Sequence, residues 1–159
     1  MAGQPAEIDA VDARLLALLD EEPRLGVMEL ARRANVARGT AQARLDRLLA
    51  RGVVRGFGPE IDPPSLGYPV LAFTTLEINQ AGVDELVAHL GSLPEVLEVH
   101  TITGPGDLLC RIVARSNDHL QEVIGAVLSG PSINRASTHI ALSTPVLLRT
   151  APLVASAAS

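Results

Sequence analysis

The sequence predicts an α+β chain: an N-terminal winged helix-turn-helix unit, then a ferredoxin-like βαββαβ domain. Three observations predict it. Up to Gly52, apolar residues recur at three- and four-residue spacing, the helical period. Beyond residue 66, strand-like and helix-like runs alternate. Between them Gly56, Gly58, Pro59, Pro63 and Pro64 punctuate a short stretch that neither period fits. The expected division is therefore a helical unit over 1–55, a linker or hinge strand over 56–66, a sheet domain over 67–145 and a tail over 146–159.

The elements follow in order. Asp9 or Asp12 caps a first helix running to about Leu19, with Val11, Leu15, Leu18 and Leu19 on one face. A second spans Val27 to Ala34. A third runs from Arg38 to Arg51 and stops at Gly52. Val53, Val54 and Phe57 read as a short strand. In the second half, strands are expected over Val70–Ile78, Val96–Thr103, Leu108–Ala114 and Ile133–Leu142. Helices are expected over Val83–Leu93 and Leu120–Leu128. In the βαββαβ order both helices cover one face of an antiparallel sheet. The alternation of Leu109, Arg111 and Val113 with Leu108, Cys110 and Ile112 gives that sheet a second face to cover, and a bare apolar face suits an oligomer interface. The Ala- and Ser-rich end after Leu153 reads as frayed.

Composition bounds the chemistry. The chain has 159 residues and 47% hydrophobic ones, with no Trp, one Tyr and two Phe, so Leu, Val, Ile and Ala must build the core. All 13 basic residues are Arg, which excludes Schiff-base chemistry through Lys. The single Cys110 cannot form an internal disulfide, which fits a reducing cytoplasm, and it reads as a small core residue. Four scattered His and one Cys form no metal-ligand cluster. The polar, acidic start does not resemble a secretion signal, and no apolar run is long enough to span a membrane. No nucleophile–base constellation and no phosphate loop with Lys is present, so no enzyme and no cofactor are expected.

The net charge of −5 conceals an uneven distribution. Arg32, Arg33, Arg38, Arg44, Arg47, Arg51 and Arg55 face a single acid, Asp46, between residues 32 and 55. This stretch carries +6, which leaves −11 for the rest of the chain. A local basic footprint of this kind suits nucleic acid. A helix-turn-helix needs a small residue within its first helix, a tight turn and a buried residue ahead of the reading helix; Ala31, Ala34-Asn35 and Val36 supply these in order. In the third helix Ala41, Leu45 and Leu48 share a face. With Ala41 at zero, Thr40, Arg44, Arg47 and Arg51 fall on one flank at roughly 240–300°, and Gly39, Gln42, Ala43 and Asp46 at about 100–200°. The Arg flank suits phosphates. Arg38 and Gln42, with Arg44 as a further candidate, suit base edges in the major groove of double-stranded DNA, where Arg matches guanine and Gln adenine. For Arg44 a structural salt bridge is the alternative.

These residues resemble the Lrp/AsnC (leucine-responsive, feast/famine) regulators of bacteria and archaea, from about Asp9 to Leu142. The resemblance rests on residues 12–19 (Asp-Ala-Arg-Leu-Leu-Ala-Leu-Leu), Glu29-Leu30-Ala31-Arg32-Arg33, Val36 to Thr40, Arg44-Leu45-Asp46-Arg47-Leu48 and Gly52 to Phe57. It continues through Ile61-Asp62-Pro63, Leu66-Gly67-Tyr68, Thr103 to Leu109 and Arg135 to Ile140. Two departures stand out. Ala37 occupies the position where the family usually has a capping Ser, and Gly39 and Ala41 are smaller than usual.

The resemblance implies a cytoplasmic, nucleoid-associated transcriptional regulator. It implies dimerisation through the sheet, assembly of dimers into rings, commonly octamers, and a small effector, typically an amino acid, bound between dimers near the Gly-rich turn. On this reading Thr103, Gly104, Gly106 and Asp107 form the effector turn, with His100 and Thr138 lining the same cleft. Two glycines let backbone N–H groups approach a carboxylate, and Asp107 can accept an α-ammonium. Asp107 as a plain turn residue and His100 as a plain strand position remain open. So does an architectural DNA-binding protein without an effector.

Overall fold

The computed structural model describes residues 7–79 and 82–158, so most of the polar start lies outside the described residues. The chain divides into two compact units, Met1–Pro59 with Val146–Ser159, and Glu60–Pro145.

The first unit is helical. Helix α1 spans Ala10–Glu21. Of the two candidate caps, Asp9 is the N-cap: its carboxylate accepts from the Val11 and Asp12 backbone N–H groups. Asp12 completes a capping box by accepting from Asp9 N. Helix α2 spans Val27–Ala34 and α3 spans Arg38–Ala50. Asn35 makes the turn between them in the left-handed region, φ 55°, and Val36 N donates back to Ala31 O. Leu15, Leu30, Ala31, Ala34, Ala41 and Leu45 form the core. Ala31, buried in that core, is the small residue within α2 that the sequence pattern required.

Three expectations fail here. Val53, Val54 and Phe57 form no strand, so the helix-turn-helix lacks the expected wing. Gly52 at φ 70° turns the chain back, and the N–H groups of Val53 and Val54 both donate to Leu48 O, closing α3 instead of entering a ladder. The chain end is not simply frayed either. Ala151–Ala157 forms a short helix, α6, against α1. The 56–66 linker likewise holds no strand, only a 3₁₀ turn at Pro64–Leu66.

The second unit is a four-stranded antiparallel sheet. Strand β1 is Val70–Ile78, β2 Val96–Thr101, β3 Leu108–Ala114 and β4 Ile133–Ile140, in spatial order β2-β3-β1-β4. Helices α4 (Val83–Ser92) and α5 (Asn117–Leu128) cover one face. α5 starts three residues before Leu120 because Ser116 caps it, accepting from His119 N at 3.1 Å. Leu86 and Leu90 from α4 and Leu120, Val123 and Val127 from α5 meet Ala72, Leu76, Leu108, Cys110 and Ile112. The opposite face carries Leu71, Phe73 and Thr75 from β1 and Leu109, Arg111 and Val113 from β3, as the register requires. Among the described residues no helix is long and apolar enough to cross a membrane.

Candidate nucleic-acid interface and effector turn

Helix α3 presents its start outward. Arg38, Gly39, Thr40 and Gln42 are exposed, while Ala41, Leu45 and Leu48 are buried against the unit. Ala37 occupies the N-cap position and makes no side-chain cap bond, so the first turn of α3 lacks the hydroxyl acceptor a Ser would supply. Gly39, in the same turn, has open space around its Cα. Gln42 is held in place: its Nε2 donates to Asp46 Oδ1 at 2.8 Å. An amide nitrogen carries two protons, so Gln42 retains one donor and its carbonyl oxygen for another partner.

The Arg flank behaves differently from the sequence expectation. Arg44 Nη1 donates to Asp9 Oδ2 at 2.5 Å and to Asp12 Oδ1 at 3.0 Å; Arg47 Nη2 donates to Asp12 Oδ2 at 2.7 Å. Arg44 takes up the salt-bridge alternative, and Arg47, expected to reach phosphates, is likewise committed to the start of α1. The physical reason is Asp12, whose side chain is 1% exposed and needs compensating charge. The Arg44 guanidinium, together with the Asp12 and Val11 N–H groups, holds the Asp9 carboxyl down at about 2, from an ordinary 3.8. In turn Asp9 first, then Asp12, raises Arg44 above its usual value. Arg51 Nη1 donates to Glu7 O at 3.3 Å. Arg32 pairs with Glu29, and Arg33 with Glu21 and Glu22. Sequence reasoning missed the roles of Asp9 and Asp12, because 32 to 35 residues separate Asp12 from its partners and no local pattern marks the pairing.

In the second unit, residues 102–107 link β2 to β3. Ile102 N donates to Asp107 O at 2.9 Å and Asp107 N to Leu76 O at 2.8 Å, which seats the turn against the end of β1. Asp107 Oδ2 accepts from Ile78 N at 2.8 Å, the turn-anchoring arrangement left open above. Gly104 and Gly106 both have positive φ, 104° and 95°. Gly106 packs so closely that a Cβ would lie 2.2 Å from Thr75 Cγ2 and 3.2 Å from Leu76 O; around Gly104 there is open space. Thr103 is exposed beside them, β2 having ended at Thr101. His100, opposite Leu109 on the face away from the helices, is exposed with Glu98 Oε2 3.4 Å from its Nε2.

Thr138 does not join them within one chain. It lies on β4, at the sheet edge opposite β2, roughly 14 Å away across three strand spacings. Its hydroxyl turns to the helix-covered face, 2.9 Å from that of buried Thr74. Within one chain the strand order keeps His100 and Thr138 apart, so the cleft expected between dimers would draw them from different protomers.

A helix-turn-helix unit with an exposed third helix, joined to a βαββαβ sheet unit, defines a two-domain transcriptional regulator with DNA-binding and ligand-binding domains. Residues 8–49 match the AsnC-type helix-turn-helix domain and residues 71–150 the Lrp/AsnC ligand binding domain. The chain belongs to the Lrp/AsnC family. It is 35% identical over 118 residues to an HTH-type transcriptional regulator of Pyrococcus abyssi, covering 74% of this chain and 75% of that one. The fold superimposes on E. coli AsnC with a TM-score of 0.84 at 29% identity, covering 91% and 99% of the two chains. It is also similar to a feast or famine regulatory protein from M. tuberculosis complexed with L-methionine, with a TM-score of 0.81 at 26% identity, covering 89% and 97%.

Proposed function

We propose that this regulator reads double-stranded DNA with the start of α3 and that its sheet unit assembles and responds to an amino acid. The observation that carries the DNA reading is the division of α3. Arg38, Gly39, Thr40 and Gln42 stand outward at its N-terminal end over a fully apolar inner face. Arg38 matches a guanine edge and Gln42 an adenine edge, and Arg51 at the far end, which has no carboxylate partner among the described residues, can reach a phosphate. Gln42→Ala is expected to change the ranking of sequences selected from a random duplex pool. An unchanged ranking for both Gln42→Ala and Arg38→Ala would refute this assignment.

For assembly, the sheet face away from the helices carries Leu71, Phe73 and Leu109 around Arg111, whose guanidinium lies 3.6 Å from Glu98 and whose buried Nε has no partner among the described residues. A second copy seated on this face would cover the apolar residues and give Arg111 a second acceptor. Higher assembly, to an octamer, would then follow from contacts between dimers. Sedimentation of the full chain as a monomer would refute this.

For the effector, support comes from the exposed turn Thr103–Asp107, with His100 on the adjacent strand, and from the methionine complex of the similar M. tuberculosis protein. Thr138 belongs to the same site only if a neighbouring protomer supplies it. Calorimetry with the common amino acids at millimolar concentration is the test. Binding of none of them favours an architectural DNA-binding protein without an effector.

A further inference from the structure

We propose that Asp12 sets the DNA selectivity of this protein by withholding Arg44 and Arg47 from phosphates. The proposal rests on α3 being the DNA-facing helix. Asp12 is fixed as the third residue of α1 by its capping box with Asp9. Both of its carboxylate oxygens are occupied by α3: Oδ1 by Arg44 Nη1 at 3.0 Å, and Oδ2 by Arg47 Nη2 at 2.7 Å. Asp9 takes a second bond from Arg44. Two acids thus neutralise two arginines of the helix that faces DNA.

The consequence follows from how the two kinds of contact act. Affinity for any duplex, whatever its sequence, grows with the number of phosphates neutralised; base-edge contacts discriminate. Of the seven arginines between residues 32 and 55, Arg32, Arg33, Arg44 and Arg47 have carboxylate partners. Among the described residues only Arg38, Arg51 and Arg55 of this set have none. The basic stretch therefore offers a smaller free charge than its composition suggests, and one of the free arginines stands beside Gln42 at the base-reading end. Arg47 is the side chain poised for release: it is 46% exposed, so loss of the Asp12 charge would let it swing outward. Asp12 is a positioning residue in this scheme, since it touches no DNA itself.

The test measures binding of the full-length protein to a short random-sequence duplex by fluorescence anisotropy, from about 50 to about 200 mM salt. Asp12→Asn keeps the side-chain size and an acceptor for the capping box while removing the charge. It should tighten random-duplex binding and steepen the slope of log K against log salt by about one to two units, since each phosphate contact contributes about −0.9. Arg47→Gln should leave the wild-type slope unchanged, and in the Asp12→Asn background it should remove about one unit of the gain. A thermal melt confirms that each variant is folded. If Asp12→Asn binds equally or more weakly with an unchanged slope, Asp12 is only a helix clamp and the proposal fails. If Asp12→Asn does not fold, Arg47→Gln decides alone: a slope shallower by about one unit means Arg47 already lies on a phosphate, which also refutes it. A wild-type protein that binds no duplex at low salt overturns the α3 reading itself, and is distinguishable because no slope can then be measured.

Discussion

Gly106 and Gly104 lie two residues apart in the same turn, both at positive φ, yet an added methyl group meets different surroundings at each. At Gly104 there is nothing within 4 Å, so Gly104→Ala carries only backbone strain. For an L-residue outside its favoured regions this is about 1–2 kcal/mol. At Gly106 the same strain applies, and the new Cβ would also lie 2.2 Å from Thr75 Cγ2 and 3.2 Å from Leu76 O. Thr75 is β-branched and stiff at χ1, and Leu76 O already accepts from Asp107 N, so neither neighbour yields easily. Overpacking of this kind adds about 1–3 kcal/mol. Gly106→Ala should therefore cost about 2–5 kcal/mol in total, clearly more than Gly104→Ala. Urea unfolding followed by circular dichroism measures both. Equal midpoints for the two variants would refute the reasoning, because the steric difference is the only one the structure gives them.

Three further outcomes follow from the same geometry. Asp9 titrates at about 2 when folded against an ordinary 3.8, so its contribution to stability is fully present above 3.8 and is lost as pH falls through about 2; melts across this window should show Asp9→Asn less acid-sensitive than the wild type. Burial pushes the Cys110 thiol up to about 11, so at neutral pH it should react with a thiol reagent only on unfolding; rapid labelling of the native protein would contradict its placement. Leu30, with no exposed surface at the centre of the helical unit, should cost about 2–5 kcal/mol when replaced by Ala, read from the denaturation midpoint.

The sequence by itself determined the elements whose cause is local. Asn35 and Gly52, residues that tolerate left-handed backbone, end α2 and α3 where they stand. Strand β3 is bounded by the Gly-Pro-Gly turn before it and polar residues after it, and its alternation already separated Cys110 from Arg111. The reading helix was legible too, because Ala41, Leu45 and Leu48 impose its inner face through the helical period alone. Ser116 was a local signal for the start of α5 that the apolar pattern, beginning at Leu120, concealed.

What only the tertiary structure decided depends on residues distant in sequence. Whether Val53 and Val54 make a wing was settled by a competition between a strand partner and Leu48 O, which the carbonyl at the end of α3 won. The strand order placed Thr138 at the edge away from His100, although each alone looked suited to one cleft. The partners of Arg44 and Arg47 are the last case. An arginine flank reads the same in sequence whether it faces phosphate or protein, because the helical period fixes direction and not what lies opposite. Burial of Asp12 at the start of α1 supplied the opposing charge, and a buried carboxylate must be paired.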